Sequence, residues 1–170
     1  MDLRDYIRNI PDFPKPGIQF KDITPLLKSP DAFGEVIQKI VQYSSSVTVD
    51  AVVGIDARGF LIAAPLAYHL KKPLIPVRKE GKLPFYTNKI TYALKYGNDT
   101  LEMHQDAVAI GQNVLVVDDL LATGGTLAAT AKLVETSGAN VSAMVVLIEL
   151  LALNGRSLIE RYQMHSLIQI

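Results

Sequence analysis

The chain has 170 residues, 49% of them hydrophobic, with 17 Lys plus Arg balancing 17 Asp plus Glu and no cysteine. That length suits one domain with a substantial core, and zero net charge argues against a nucleic-acid surface. The missing cysteines exclude disulfides, Cys-ligated zinc and thiol nucleophiles, and no apolar run reaches the roughly 18–20 residues of a membrane span.

The charged start, Met1-Asp-Leu-Arg-Asp-Tyr6, lacks the apolar stretch of a signal peptide, so a cytoplasmic location is expected. Residues 2–8 predict a short helix. Residues 9–30 read as irregular, because Pro11, Pro14, Pro16, Gly17, Pro25 and Pro30 interrupt regular structure. Ser29-Pro30-Asp31 is a helix start with Ser as the cap, and Phe33, Val36, Ile37, Ile40 and Val41 carry helical spacing to about Tyr43.

Residues 51–55 read as a buried strand, 59–70 as a helix and 74–77 as a second strand. Residues 78–88 form a polar loop containing Gly81 and Pro84. Ile90, Tyr92, Leu94 and Tyr96 then alternate with polar or small residues. Gly97-Asn98-Asp99 reads as a turn, and residues 100–104 as the returning half of a hairpin. Residues 114–117 predict a third buried strand, 125–137 a helix stopped by Gly138, and 141–148 a fourth strand. Asn154 is placed as the cap of a helix over 155–161, before an apolar segment at 167–170. No repeat, low-complexity tract or linker divides the chain. Strand–helix alternation predicts an α/β fold in one domain over 1–170: a mostly parallel twisted sheet flanked by helices, with a short antiparallel hairpin.

The most informative stretch is Val114-Leu-Val-Val-Asp-Asp-Leu-Leu-Ala-Thr-Gly-Gly-Thr126. A buried strand delivers Asp118 and Asp119 to its C-terminal end, the edge where open α/β sheets bind ligands. Ala122, Thr123, Gly124, Gly125 and Thr126 then open a helix. The glycines allow a tight turn, so several N–H groups can converge on a phosphate, and the Thr hydroxyls can add hydrogen bonds. Neither the Gly-Lys-Ser/Thr element of nucleotide-triphosphate loops nor the Gly-x-Gly-x-x-Gly dinucleotide pattern is present. Phosphate on one side and hydroxyl-accepting carboxylates on the other would grip a ribose 5-phosphate. A second strand-to-helix turn, Asp56-Ala57-Arg58-Gly59, offers backbone N–H groups and a guanidinium to another polyanion. Arg78, Lys79 and Lys82 flank Gly81 in a segment that could close over a charged ligand. His69, His104 and His165 are scattered and mark no metal site.

The acid pair followed by Thr-Gly-Gly-Thr resembles the signature of the type I phosphoribosyltransferases, and its form is similar to that of the adenine-using branch. Supporting stretches are residues 10–17, 20–27, 57–60, 77–84 and Tyr96-Gly97, so the resemblance runs from about residue 7 to the C-terminus. It implies purine salvage, in which 5-phosphoribosyl-1-pyrophosphate (PRPP) and adenine give AMP and pyrophosphate. By resemblance, residues 56–59 form the pyrophosphate loop and residues 78–104 a mobile loop and hairpin. The same resemblance makes residues 1–28 the base-binding segment, with Phe20 stacking on the purine, the backbone at Lys21 reading its edge, and Leu150 packing on the other face. Mg²⁺ would arrive on substrate oxygens, with no protein-built cage, and a homodimer is implied.

Lys95 stands where the family usually has Glu. Protonated Lys only donates hydrogen bonds, so general acid/base duty does not transfer to it and turnover should depend less on this position. Lys21 for the usual Arg, and Gln19 for a common apolar residue, are milder departures. Two alternatives stay open, a phosphoribosyltransferase for another purine and a non-catalytic PRPP-binding regulator.

Overall fold

A computed structural model describes residues 1–94 and 96–170, so Lys95 lies outside the described residues. The chain forms two compact units, Met1–Lys39 and Ile40–Ile170. In the first, a 3₁₀ turn at Leu3–Tyr6 is capped by the Asp2 carboxylate, which accepts from the Arg4 N–H at 2.9 Å. Strand β1, Arg8–Ile10, pairs antiparallel with β2, Phe20–Asp22, and α1 spans Thr24–Lys28. The stretch expected to be irregular therefore contains regular pieces. Its prolines at 11, 14 and 16 fall in the β1–β2 connection, so both short strands keep their N–H groups. Helix α2, Pro30–Ser44, begins where Ser29 and Pro30 predict, and Ser29 Oγ accepts from the Ala32 N–H at 3.3 Å.

The second unit is built on a seven-stranded sheet. Its strands are β3 (Ala51–Ile55), β4 (Leu74–Lys79), β5 (Thr87–Ala93), β6 (Asn98–His104), β7 (Asn113–Leu121), β8 (Asn140–Glu149) and β9 (Met164–Gln169). Their order is β5-β6-β4-β3-β7-β8-β9. The five from β4 to β9 are mutually parallel, and the β5–β6 hairpin adds antiparallel at one edge. β3 is buried along its whole length and the middle of β7 nearly so, which explains their continuous apolar sequence.

Successive side chains on β3 point to opposite faces. Gly54 faces α3, Arg58–Leu70, so closely that a Cβ there would lie 2.7 Å from Ala63 Cβ. Ala51, Val53 and Ile55 point the other way, into a core shared with Val114, Val116, Met144, Val146 and the buried side of α4, Gly125–Thr136. Helices therefore flank the sheet as expected. Among the described residues, no helix is long and apolar enough to cross a membrane.

Three boundaries differ in ways that matter for the site. β4 runs on through Arg78 and Lys79, which places both on a strand and not in the polar loop. Asn98 and Asp99 belong to β6, because cross-strand pairing continues to Ala93↔Asn98. Asn154 is no helix cap: it adopts a left-handed conformation between two short 3₁₀ turns, Leu151–Leu153 and Gly155–Leu158. The last apolar segment is a full strand, β9, in parallel register with β8.

Candidate active site

Strand β7 carries the acid pair. It does not stop at Val117, because β8 keeps pairing with it as far as Leu121↔Glu149. Asp118 and Asp119 are both buried, and Asp118 Oδ1 accepts from the Asp119 N–H at 2.9 Å. Burial pushes the Asp118 carboxyl well above the usual carboxylate range, and the neighbouring charge of Asp119 adds to the shift. Burial raises Asp119 as well, against the pull of the Arg58 guanidinium. Arg58 Nη2 lies 2.7 Å from Asp119 Oδ2, an ion pair whose atoms are not aligned as a hydrogen bond. With both carboxyls buried and only Asp119 in contact with a guanidinium, ionising the pair is costly, a cost that a cationic ligand would offset.

Residues 122–126 follow as a turn into α4. Gly124 sits at the helix N-cap in a left-handed conformation, φ +88°, with no side-chain cap. The first N–H groups of a helix have no intrahelical acceptor, and Gly125, Thr126 and Leu127 at this helix start all line the cleft. The turn is seated on main chain. A Cβ on Gly124 would lie 2.3 Å from the Gly155 carbonyl oxygen, and one on Gly155 would lie 2.3 Å from that of Ala122. Behind Gly155 lies a partly buried network. Arg156 donates to both carboxylate oxygens of Glu149, at 2.6 and 2.8 Å, while Ser166 and Gln169 donate to Glu149 Oε2.

Opposite the cup is the turn 56–59, where the Asp56–Ala57 peptide is cis. Gly59 lets this turn press against the acid strand, since a Cβ there would meet Asp118 Oδ1 at 2.7 Å and Val117 O at 3.1 Å. A cleft of about 290 Å³ lies between the two turns. It brings together most of the predicted site: Asp56, Ala57 and Arg58, then Lys79, then Asp118, Asp119 and residues 122–126.

The other predicted residues stand elsewhere. Gly59 is buried beneath the turn. Arg78 Nε donates to Asp56 Oδ2 at 3.0 Å. Lys82 follows in the loop, where its N–H and that of Leu83 donate to the buried Glu102. Burial pushes Glu102 up, but these amides outweigh it and hold the carboxyl below its usual range. Tyr96 is largely exposed beside the hairpin turn. Leu150 leads out of β8, its N–H donating to Leu121 O at 2.9 Å. In the first unit, Phe20 packs edge-on against Phe13 with ring centroids 5.1 Å apart, and Lys21 Nζ donates to Asn9 Oδ1 at 2.6 Å. The family position Lys95 lies outside the described residues.

The cleft is also lined by Tyr92, Leu101, Leu120, Leu121 and Leu127, which sequence reasoning did not single out. For Tyr92 the available signal was its alternation with Ile90 in β5, which marks an inward side chain but not its neighbours.

Fold and cleft point to one class of enzyme, and residues 21–167 match the model of the phosphoribosyl transferase domain family. A curated relative, the adenine phosphoribosyltransferase of Roseiflexus sp. (strain RS-1), is 54% identical over 98% of this chain and 97% of its own length. The crystal structure of adenine phosphoribosyltransferase from Thermoanaerobacter pseudethanolicus superposes with a TM-score of 0.97 at 50% identity, covering 99% of this chain and 98% of that one. The Saccharomyces cerevisiae enzyme, solved with adenine and an imino-altritol bisphosphate, gives a TM-score of 0.91 at 37% identity, covering 97% of this chain and 96% of that one. The chain thus belongs to the phosphoribosyl transferase domain family, among its adenine phosphoribosyltransferases.

Proposed function

We propose that the protein transfers the phosphoribosyl group of PRPP to adenine, giving AMP and pyrophosphate in purine salvage. The observation that carries this is the convergence of the acid pair, the Gly124–Thr126 helix start and Arg58 on one cleft. In this reading the N–H groups and hydroxyls of residues 122–126 fix the 5′-phosphate, so that remote binding becomes orientation at C1′. Asp118 and Asp119 accept from the ribose 2′- and 3′-hydroxyls, and their charge favours the oxocarbenium-like state. Arg58, Arg78, Lys79 and Lys82 stabilise the leaving charge. The C1′–pyrophosphate bond breaks as positive charge builds on the ring, and a purine nitrogen attacks the opposite face with inversion. Phe20, Lys21, Tyr96 and Leu150 are assigned to the base side, with adenine chosen by backbone hydrogen bonding at its amino-bearing edge.

Magnesium is proposed to travel on PRPP oxygens. Among the described residues no group of three or more His, Asp or Glu side chains would cage it, while the buried, charge-strained acid pair suits a substrate-borne cation nearby. When bound, the ion offsets charge on the departing pyrophosphate. A homodimer is proposed on the apolar stripe of α3, where Leu61, Ala64 and Tyr68 are exposed. A cytoplasmic setting is proposed, with which a chain free of disulfides is compatible.

Turnover with PRPP, Mg²⁺ and a panel of adenine, hypoxanthine and guanine, read as pyrophosphate release, tests the assignment. Adenine should be consumed well ahead of the six-oxo purines. Preference for a six-oxo base, or PRPP binding without release, would replace the proposal.

A further inference from the structure

The hairpin reaches the phosphate cup at Tyr92, which lines the cleft together with Leu101 of the facing strand. Tyr92 on β5 stands opposite Asp99 on β6, and Leu101 on β6 stands opposite Lys79 on β4. Residues two apart on a strand share a face, so Lys79, Asp99 and Tyr92 lie on the same side of the sheet. There the Tyr92 hydroxyl lies 3.1 Å from Thr126 Oγ1 and 3.3 Å from Asp99 Oδ2. Asp99 Oδ2 also pairs with Lys79 Nζ. The Tyr92 ring rests against the helix start, where a Cβ on Gly125 would come within 3.3 Å of its Cδ2. Lys79, Tyr92 and Thr126 all line the cleft.

Proton counting gives this chain a direction. A carboxylate only accepts and each hydroxyl has one proton to give. With the Tyr92 proton on Asp99, Thr126 donates to the tyrosine oxygen. When Thr126 donates to a phosphate oxygen instead, Tyr92 can turn its own proton onto Thr126. The threonine hydroxyl therefore keeps a partner in both states and stays aimed into the cup.

We propose that Tyr92 is a positioning residue for the phosphate end of the substrate, acting through Thr126. This rests on residues 122–126 being the 5′-phosphate cup. Tyr92→Phe keeps the ring that packs on Gly125 and removes only the hydroxyl. Calorimetric titration of the full chain with ribose 5-phosphate, and separately with magnesium pyrophosphate, tests the role in Tyr92→Phe, Thr126→Val and the double variant. Tyr92→Phe should weaken ribose 5-phosphate binding roughly 3- to 10-fold, the scale of one net hydrogen bond, and leave pyrophosphate binding unchanged. In the Thr126→Val background the same change should cost nothing further. Equal losses for both ligands would indicate general loosening and overturn the role, as would a tyrosine effect that persists without the threonine hydroxyl. Wild-type protein that fails to bind ribose 5-phosphate would remove the cup and the role together. Normal wild-type binding that Tyr92→Phe leaves intact would remove the role alone.

Discussion

Asp118 shows what the site costs the fold. Its folded pKa lies above the ordinary 3.8, so the native state holds this proton more tightly than the unfolded chain does. Stability of the ligand-free protein should then fall as pH rises from about 3.8 through the raised value, and level off above it. Asp118→Asn removes the buried charge yet keeps an oxygen to accept from the Asp119 N–H. The variant should melt about 2–4 °C higher than wild type at pH 7 without ligand, lose most of that pH slope, and turn over about 100-fold more slowly. Thermal melts across pH, beside a turnover assay, check both halves. A lower Tm at pH 7 would mean that Asp118 stabilises the empty protein. The acid pair and Thr-Gly-Gly-Thr were legible in the sequence because adjacent residues build that part of the site. Tyr92 was not, since its partner Thr126 is distant in the chain and only the docking of a hairpin edge on α4 joins them.

At the level of elements, the proposed phosphate cup rests on a segment, residues 149–156, that is not among the described residues lining the cleft. Glu149 ends β8, and Arg156 returns to it from the 3₁₀ turn that begins at Gly155, the residue beneath Gly124. The Arg156 hydrogen bonds hold the Glu149 carboxyl below its ordinary 4.5, against the opposing effect of burial. The pair's stabilisation is therefore full above about pH 4.5 and is lost as pH falls through the lowered value. Glu149→Gln should destabilise the protein by about 1–3 kcal/mol at pH 7, less than a fully buried pair would lose because Arg156 is partly exposed. The difference from wild type should shrink below pH 4, which denaturant titrations at both pH values would reveal. The KM for PRPP should rise as the cup loses its support. The buried apolar run at 51–55 matches both ends of β3. Such runs could not show β4 continuing into Arg78 and Lys79, because what extends that strand is its edge partner, with Arg78↔Glu102 and Lys79↔Leu101 in register. Nor could the proline-rich entry segment reveal the β1–β2 pairing, which needs both halves of a loop brought side by side.

For the molecule as a whole, the outward face of α3 carries exposed apolar side chains in helical register. Tyr68 is 88% exposed and Leu61 46%, one helical face apart by two turns, with Ala64 exposed between them. In the proposed homodimer, this apolar stripe on a helix packed on its other side is the surface assigned to the second copy. Tyr68→Glu should shift the sedimentation of the protein from a dimer to an 18.6 kDa monomer, and a wild-type monomer would end the dimer reading. The meeting of Gly124 with Gly155 bears on how such a molecule can diversify. The seat proposed for the sugar's terminal anion is framed by peptide atoms that admit no methyl group on either side. Its shape is thus insulated from side-chain drift, and changes of preference between substrates must arise at the rim, where side chains such as those of the hairpin can be exchanged without disturbing the grip beneath them.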